Sequence, residues 1–159
     1  MLKIIKDSSI WYRDGLCFEC TGCGQCCTGA PGYVWVNEEE IQTISNFLQI
    51  SIEEFAKKYL RQVNGKLSLI ELPKTYDCVF LKDKKCQIYS VRPTQCRTFP
   101  WWPLLLKSEN DWNEAARYCE GIRTTAPLVE LEIIEQQKQI QEKAQEHIQN
   151  FSDLDNIQD

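Results

Sequence analysis

A single histidine, His147, stands in 159 residues, and that scarcity removes whole classes of chemistry. A Ser/His/Asp arrangement needs an imidazole within reach of its nucleophile. His147 lies in a polar, Gln-rich stretch remote from any candidate nucleophile and reads as solvent-facing, so no catalytic constellation stands out. Long apolar runs are missing as well. The longest candidate, Trp101 to Leu106, is interrupted by Pro103 and falls far short of the roughly 18 residues of a membrane span. The first residues, MLKIIKDSSI, carry two lysines but no apolar stretch and no small-residue cleavage site of a secretory signal. The expectation is a cytoplasmic protein with no membrane partner. A basic excess is lacking too. Residues 1–107 hold 14 Lys and Arg against 11 Asp and Glu, and residues 108–159 hold 4 against 12. That excludes nucleic acid as an expected partner and leaves the net charge of −5 to a solvated C-terminal segment.

What is present in abundance is cysteine. Cys17, Cys20, Cys23, Cys26 and Cys27 fall in CFECTGCGQCC, and Cys78, Cys86, Cys96 and Cys119 follow. In a reducing compartment such a pattern points to metal binding or catalysis rather than to structural disulfides. The odd count of nine also argues against a closed disulfide framework. Thiolates are soft, strongly donating ligands, and cysteines spaced by two residues can converge on one ion. Gly22 and Gly24 allow a tight backbone turn there. They explain the G-x-G of TGCGQCC better than a dinucleotide would.

Zinc would take a closed site of four thiolates, and an iron–sulfur cluster also takes four. The x₂ spacings from Cys17 to Cys26 are similar to the local triple of bacterial ferredoxins, without the final Cys followed by Pro. The Cys-x₃-Cys-x₂-Cys spacing of a radical-SAM cluster is absent. The adjacent pair Cys26-Cys27 permits thiol–disulfide chemistry, but no thioredoxin-like βαβ pattern accompanies it.

The rest of the chain reads as short elements. Ile10–Arg13 and Leu16–Phe18 flank Asp14-Gly15 and predict a hairpin. Tyr33–Val36 predicts a strand. Asn37 with Glu40, and Ser51 with Glu54, predict the capped starts of two helices. Ile41, Ile44 and Leu48 form the apolar stripe of the first; Ile52, Phe55, Ala56, Tyr59 and Leu60 form that of the second. Lys66–Leu72 predicts a strand after Gly65. Pro93 opens a short helix carrying Cys96, which Pro100 and Pro103 end. A short helix is predicted within 108–121, and a long one from Pro127 to about Phe151. The second half of this last helix is expected to be exposed or to await a protein partner. Phe99, Trp101 and Trp102 are expected to wall a core rather than form a docking patch for a partner. Arg92 and Arg97 are weighed between neutralising a thiolate site and forming an ordinary surface pair. Tyr12, Tyr76 and Tyr89 read as structural.

Several separated motifs together resemble one known family. They are Phe18–Cys27 with Cys20, Cys23, Cys26 and Cys27; Cys78-Val79-Phe80-Leu81; Cys86-Gln87-Ile88-Tyr89; Arg92-Pro93-Thr94-Gln95-Cys96-Arg97-Thr98-Phe99-Pro100; and Cys119 followed by Gly121-Ile122. Over about residues 16–122 the chain is similar to the CxxCxxCC (YkgJ-like) family of zinc- or iron-chelating proteins. The resemblance implies eight metal ligands: Cys20, Cys23, Cys26, Cys27, Cys78, Cys86, Cys96 and Cys119. It leaves Cys17 outside, as a half-buried strand residue. It also extends to part of the flagellin lysine methylases, where an iron–sulfur cluster is implied, although this chain resembles the cysteine domain alone.

The expected architecture is α+β. Residues 1–125 would be a cysteine-cluster domain of helices and short strands stapled by metal sites, and 126–159 a C-terminal helix with an acidic tail. The expected function is chelation of zinc or iron, with an iron–sulfur cluster included, in metal handling or as an interaction module. The alternative is an iron–sulfur accessory protein supporting protein or cofactor modification.

Overall fold

The structure is a computed structural model. It describes residues 9–22, 24 and 33–149, of which 148 and 149 are described by backbone alone. Cys23, Cys26 and Cys27 lie outside these residues. The fold is mixed helix and strand. In chain order it comprises β1 (Leu16–Cys17), β2 (Val34–Trp35), α1 (Glu38–Leu48), α2 (Ile52–Tyr59), β3 (Leu60–Val63), β4 (Lys66–Leu69), β5 (Leu81–Lys82) and β6 (Lys85–Cys86). A 3₁₀ turn at Tyr89–Val91 precedes α3 (Thr94–Thr98), α4 (Glu109–Ala115), β7 (Leu128–Val129) and α5 (Leu131–Gln149). The chain divides into two compact units. Among the described residues, one contains 9–22 and Thr98–Glu142; the other contains Gly24, 33–97 and 143–149.

In the second unit, an antiparallel sheet of order β2-β4-β3 lies with α1 and α2. Asn37 accepts from the Glu40 amide at 2.8 Å, and the Glu40 carboxylate accepts from the Asn37 amide at 3.1 Å. This is the capping box expected from the sequence, and it satisfies amides that a helix start leaves open. Ser51 caps α2 through the Glu54 amide at 3.1 Å, as expected. The core gathers Val36, Ile41, Ile44, Phe55, Leu69, Phe80 and Ile88, with Cys78 and Cys86 packed at its margin. Full burial of a side chain such as Ile44 or Phe55 stabilises the fold by roughly 1.5–3 kcal/mol.

Two readings of this unit change. Ile52 and Ala56 are exposed, so α2 buries a narrower stripe centred on Phe55. Leu60 leaves the helix and begins β3, which pairs with β4 from Leu60↔Leu69 to Val63↔Lys66. Asn64 and Gly65, at φ 51° and 78°, form the tight turn between them. Asn-Gly is the strongest short hairpin signal. The apolar stripe that continues through Leu60 hides the first strand of this hairpin, because Leu60 fits the helical period as well as it fits a strand.

In the first unit, Tyr12, Trp101, Leu106, Trp112, Ala115, Ile122, Leu131 and Ile134 form the core. Trp101 stacks on Trp112 with centroids 5.2 Å apart, and Phe18 meets Trp101 edge-on at 5.5 Å. Trp101 is therefore a core wall, as expected, and Trp102 is half-buried. The expected 10–18 hairpin does not form. Residues 11–14 make a turn, closed by Gly15 donating to the Tyr12 carbonyl at 2.9 Å. Burial of Tyr12 in the core takes its segment away from strand pairing. Strand β1 instead pairs with β7, Leu16↔Val129 and Cys17↔Leu128. The segment after Pro127 is consequently strand, and the long helix starts at Leu131 rather than at Pro127. A buried polar pair was also unforeseen: Thr98 donates to the Gln141 side-chain oxygen at 3.0 Å.

Candidate metal centre

Six cysteines fall among the described residues. Cys20 is exposed; Cys17, Cys78, Cys86, Cys96 and Cys119 are half-buried, and no disulfide joins any two of the six. Cys17 sits in β1 opposite Leu128, the half-buried strand position expected for it.

Cys20 and Cys119 belong to the same unit, and the backbone brackets them. Glu19 donates to the Gly121 carbonyl at 3.0 Å, and the Thr21 hydroxyl donates to Glu120 at 2.5 Å. The neighbours of Cys20 on both sides are thus bonded to the two residues after Cys119. The approach is close because Gly121 has no side chain: a β-carbon there would collide with the Glu19 carbonyl oxygen and stand 2.9 Å from the Phe18 ring. Cys119 follows α4, with its amide donating to Ala115 at 3.1 Å, and packs at the margin of the aromatic core.

Cys78 and Cys86 lie at the base of the β5–β6 hairpin in the second unit. Leu81 donates to the Cys78 carbonyl at 2.9 Å and is the strand partner of Cys86. Gln87 donates to Phe80 at 2.8 Å, and Cys78 forms an isolated bridge with Glu71. Gly24, at φ 75°, rests on this hairpin. A β-carbon on it would lie 2.6 Å from the Lys84 carbonyl oxygen and 2.9 Å from the Leu81 side chain. The glycine that the sequence assigned to a tight turn is therefore also a point of close backbone approach.

Cys96 is carried by α3, and three bonds place that helix within its unit. The Gln95 side chain accepts from the Trp35 amide at 3.1 Å and donates to the Tyr33 carbonyl at 2.8 Å. The Thr94 amide donates to Glu40. Neither Glu40 nor Gln95 was singled out as a positioning residue from the sequence. The cap alone accounts for Glu40 in the sequence, and a lone glutamine carries no pattern.

The two arginines near Cys96 are engaged elsewhere. Arg92 stacks over the Tyr89 ring at 3.8 Å and donates to its carbonyl at 2.9 Å. Arg97 donates to the Thr94 hydroxyl at 3.1 Å. Both line a cleft with Asn37, Glu39, Glu40 and Thr43. His147 is exposed on α5, as expected.

Among the described residues, no three Cys, His, Asp or Glu side chains are grouped as a metal ion requires. The donors that are described nevertheless suit a thiolate-bound metal: sulfurs at the margins of two apolar cores, none consumed by a disulfide within the set, and two glycines that let donor-bearing loops close in. No helix among the described residues is long and apolar enough to cross a membrane.

These features define a cysteine-rich class of protein, and the family of the chain gives metal binding as its general character. Residues 19–120 match the CxxCxxCC family, described as "Putative zinc- or iron-chelating domain". That span is well over half of the chain, and the chain belongs to this family. It is also 37% identical over 131 residues to an uncharacterized protein of Methanocaldococcus jannaschii, with 76% of this chain and 68% of that protein covered. No solved structure matches.

Proposed function

We propose that the protein chelates zinc or iron through the thiolates of Cys20, Cys23, Cys26, Cys27, Cys78, Cys86, Cys96 and Cys119, and serves as a metal-handling or interaction module. The observation that carries this reading is the placement of the described family cysteines, Cys20 and Cys119 in loops, Cys78 and Cys86 at a hairpin base and Cys96 on a short helix, half-buried or exposed and with no disulfide joining any two of them. Thiols in such places can deprotonate onto an ion without dismantling a core. The bound ion would tie distant loops together. Structural thiolate zinc sites contribute on the order of 10–16 kcal/mol of apparent binding energy. The buried Trp101 and Trp112, with the half-buried Phe18 beside them, would limit water near Cys119.

A second reading, an iron–sulfur protein supporting modification of a protein or cofactor, is favoured by the x₂ repeat from Cys17 to Cys26. One experiment separates the two. Protein purified without air is measured for zinc, iron and acid-labile sulfide, and its visible spectrum is recorded. Colourless protein with stoichiometric zinc supports the chelating module and sinks the cluster. Brown protein with matching iron and sulfide does the reverse. Metal-free folded protein with reversible disulfides rejects both.

A further inference from the structure

We propose that the cysteines serve two separate centres, with Cys20 and Cys119 ligands of one and Cys78 and Cys86 ligands of the other. The proposal rests on the chelating function argued above and specifies how the ligands divide. Spacing alone could not decide this, because eight thiolates suit either two four-sulfur sites or one larger assembly.

The division follows from backbone bonds rather than from the order of the cysteines. Residue 19 is bonded across to 121 and residue 21 to 120, so Cys20 is bracketed against the segment that follows Cys119 by contacts on both sides of it. Gly121 permits that approach, and an alanine would not fit. Cys78 and Cys86 are held by a different set of bonds. Leu81 is hydrogen-bonded to the first and paired with the second, and the Gln87–Phe80 bond closes the hairpin base next to Cys86. The two pairs fall in different compact units, and each unit has its own apolar core, against which Cys119 packs in one and Cys78 and Cys86 in the other. In each pair the connecting backbone is already fixed by the fold, across a long loop for Cys20 and Cys119 and within one hairpin for Cys78 and Cys86, so the closure entropy is met by folding rather than by the metal.

The test is a set of loading measurements on the whole chain. Metal-free protein is titrated anaerobically with zinc, and bound metal per chain is measured after desalting. The wild type is expected to hold two equivalents. Cys20→Ser, Cys119→Ser and their double variant should each lose the same single equivalent. Cys78→Ser, Cys86→Ser and their double variant should lose the other. Cys20→Ser combined with Cys78→Ser should lose both, and Cys17→Ser should lose none. A second measurement needs no substitution. Zinc-loaded wild type is partly stripped with a chelator, alkylated, and analysed as intact chains and peptides. Chains modified at Cys20 and Cys119 but protected at Cys78 and Cys86, or the reverse, are expected.

All-or-none modification of the four would overturn the division, as would a single variant that empties the whole chain of metal. Both results leave the chelating function standing, because the wild type still binds zinc. A wild type that binds neither zinc nor iron overturns the function and the division together.

Discussion

Glu40 and Thr94 join the starts of two helices: one carboxylate oxygen of Glu40 closes the cap of α1 on Asn37, and the other accepts from the Thr94 amide at the head of α3. A capping side chain thereby also fixes the helix that carries Cys96. Replacement by alanine removes both interactions, and the expected loss is about 2–3 kcal/mol, from the range for caps and for hydrogen bonds to charged groups. Glutamine keeps the cap, since it serves equally well in a capping box. It cannot accept from both amides with carboxylate strength, so Glu40→Gln should fall between wild type and Glu40→Ala. Urea unfolding of metal-loaded protein checks the order. Equal stability of wild type and Glu40→Ala would remove Glu40 from this role.

Gly24, Gly121 and Gly22 make a graded series. Gly24 has positive φ and a backbone oxygen 2.6 Å from the position of a β-carbon; Gly121 is crowded without positive φ; Gly22, at φ 70°, has open space around it. Gly22→Ala should therefore cost only the left-handed backbone strain, about 1–2 kcal/mol. Gly121→Ala must push the backbone at Glu19 away and should cost about 1–3 kcal/mol by overpacking. Gly24→Ala combines both penalties and should be the worst of the three. Thermal unfolding of the metal-loaded variants gives the ranking. Zinc retention after dialysis should fall for Gly24→Ala and Gly121→Ala and hold for Gly22→Ala. A ranking that places Gly22→Ala lowest would refute the close-approach argument.

Helix caps and cysteine motifs were legible in the sequence because each is a local pattern with a local cause. Asn37 with Glu40 and Ser51 with Glu54 appear where the residues put them, and the short helix opened at Pro93 starts one residue later, at Thr94. Strand partners were not legible. Leu16–Cys17 had an apparent partner a few residues upstream, but Tyr12 is drawn into the aromatic core, and the strand finds Leu128–Val129 instead. That choice is made by tertiary burial, which sequence spacing does not encode. The same applies to the candidate site. Family motifs named the cysteines; the bonds that bracket Cys20 with Cys119 run from residues 19 and 21, which no motif singled out as bonding partners.

The Thr98–Gln141 pair joins two nearly inaccessible side chains, at 1% and 3% exposure. Thr98→Val preserves shape but strands the Gln141 oxygen, and an unsatisfied buried polar group costs about 1–3 kcal/mol. Adding Gln141→Leu removes the stranded group. The double variant should regain part of the loss, a coupling visible in a double-mutant cycle by urea unfolding. Strict additivity of the two substitutions would mean that this hydrogen bond contributes nothing specific.

Tyr12 provides a pH signature. Its phenol is pushed well above the ordinary value, first by burial, then by the hydrogen bond it donates to Glu135, and then by the negative charges of Glu135 and Glu142. The folded chain thus keeps the proton that the unfolded chain releases near pH 10. Where the native state binds more protons than the unfolded state, stability falls as pH rises. The contribution of Tyr12 is therefore complete below about pH 10 and is lost progressively above it. Tyr12→Phe lacks this proton and the bond to Glu135. Its deficit relative to wild type should be constant from neutral pH to about pH 9 and should shrink above pH 10. Paired denaturation curves at stepped pH read the difference directly, and the other tyrosines cancel between the two proteins. A deficit that stays constant through pH 11 would show that Tyr12 ionises no later in the folded chain than in the unfolded one.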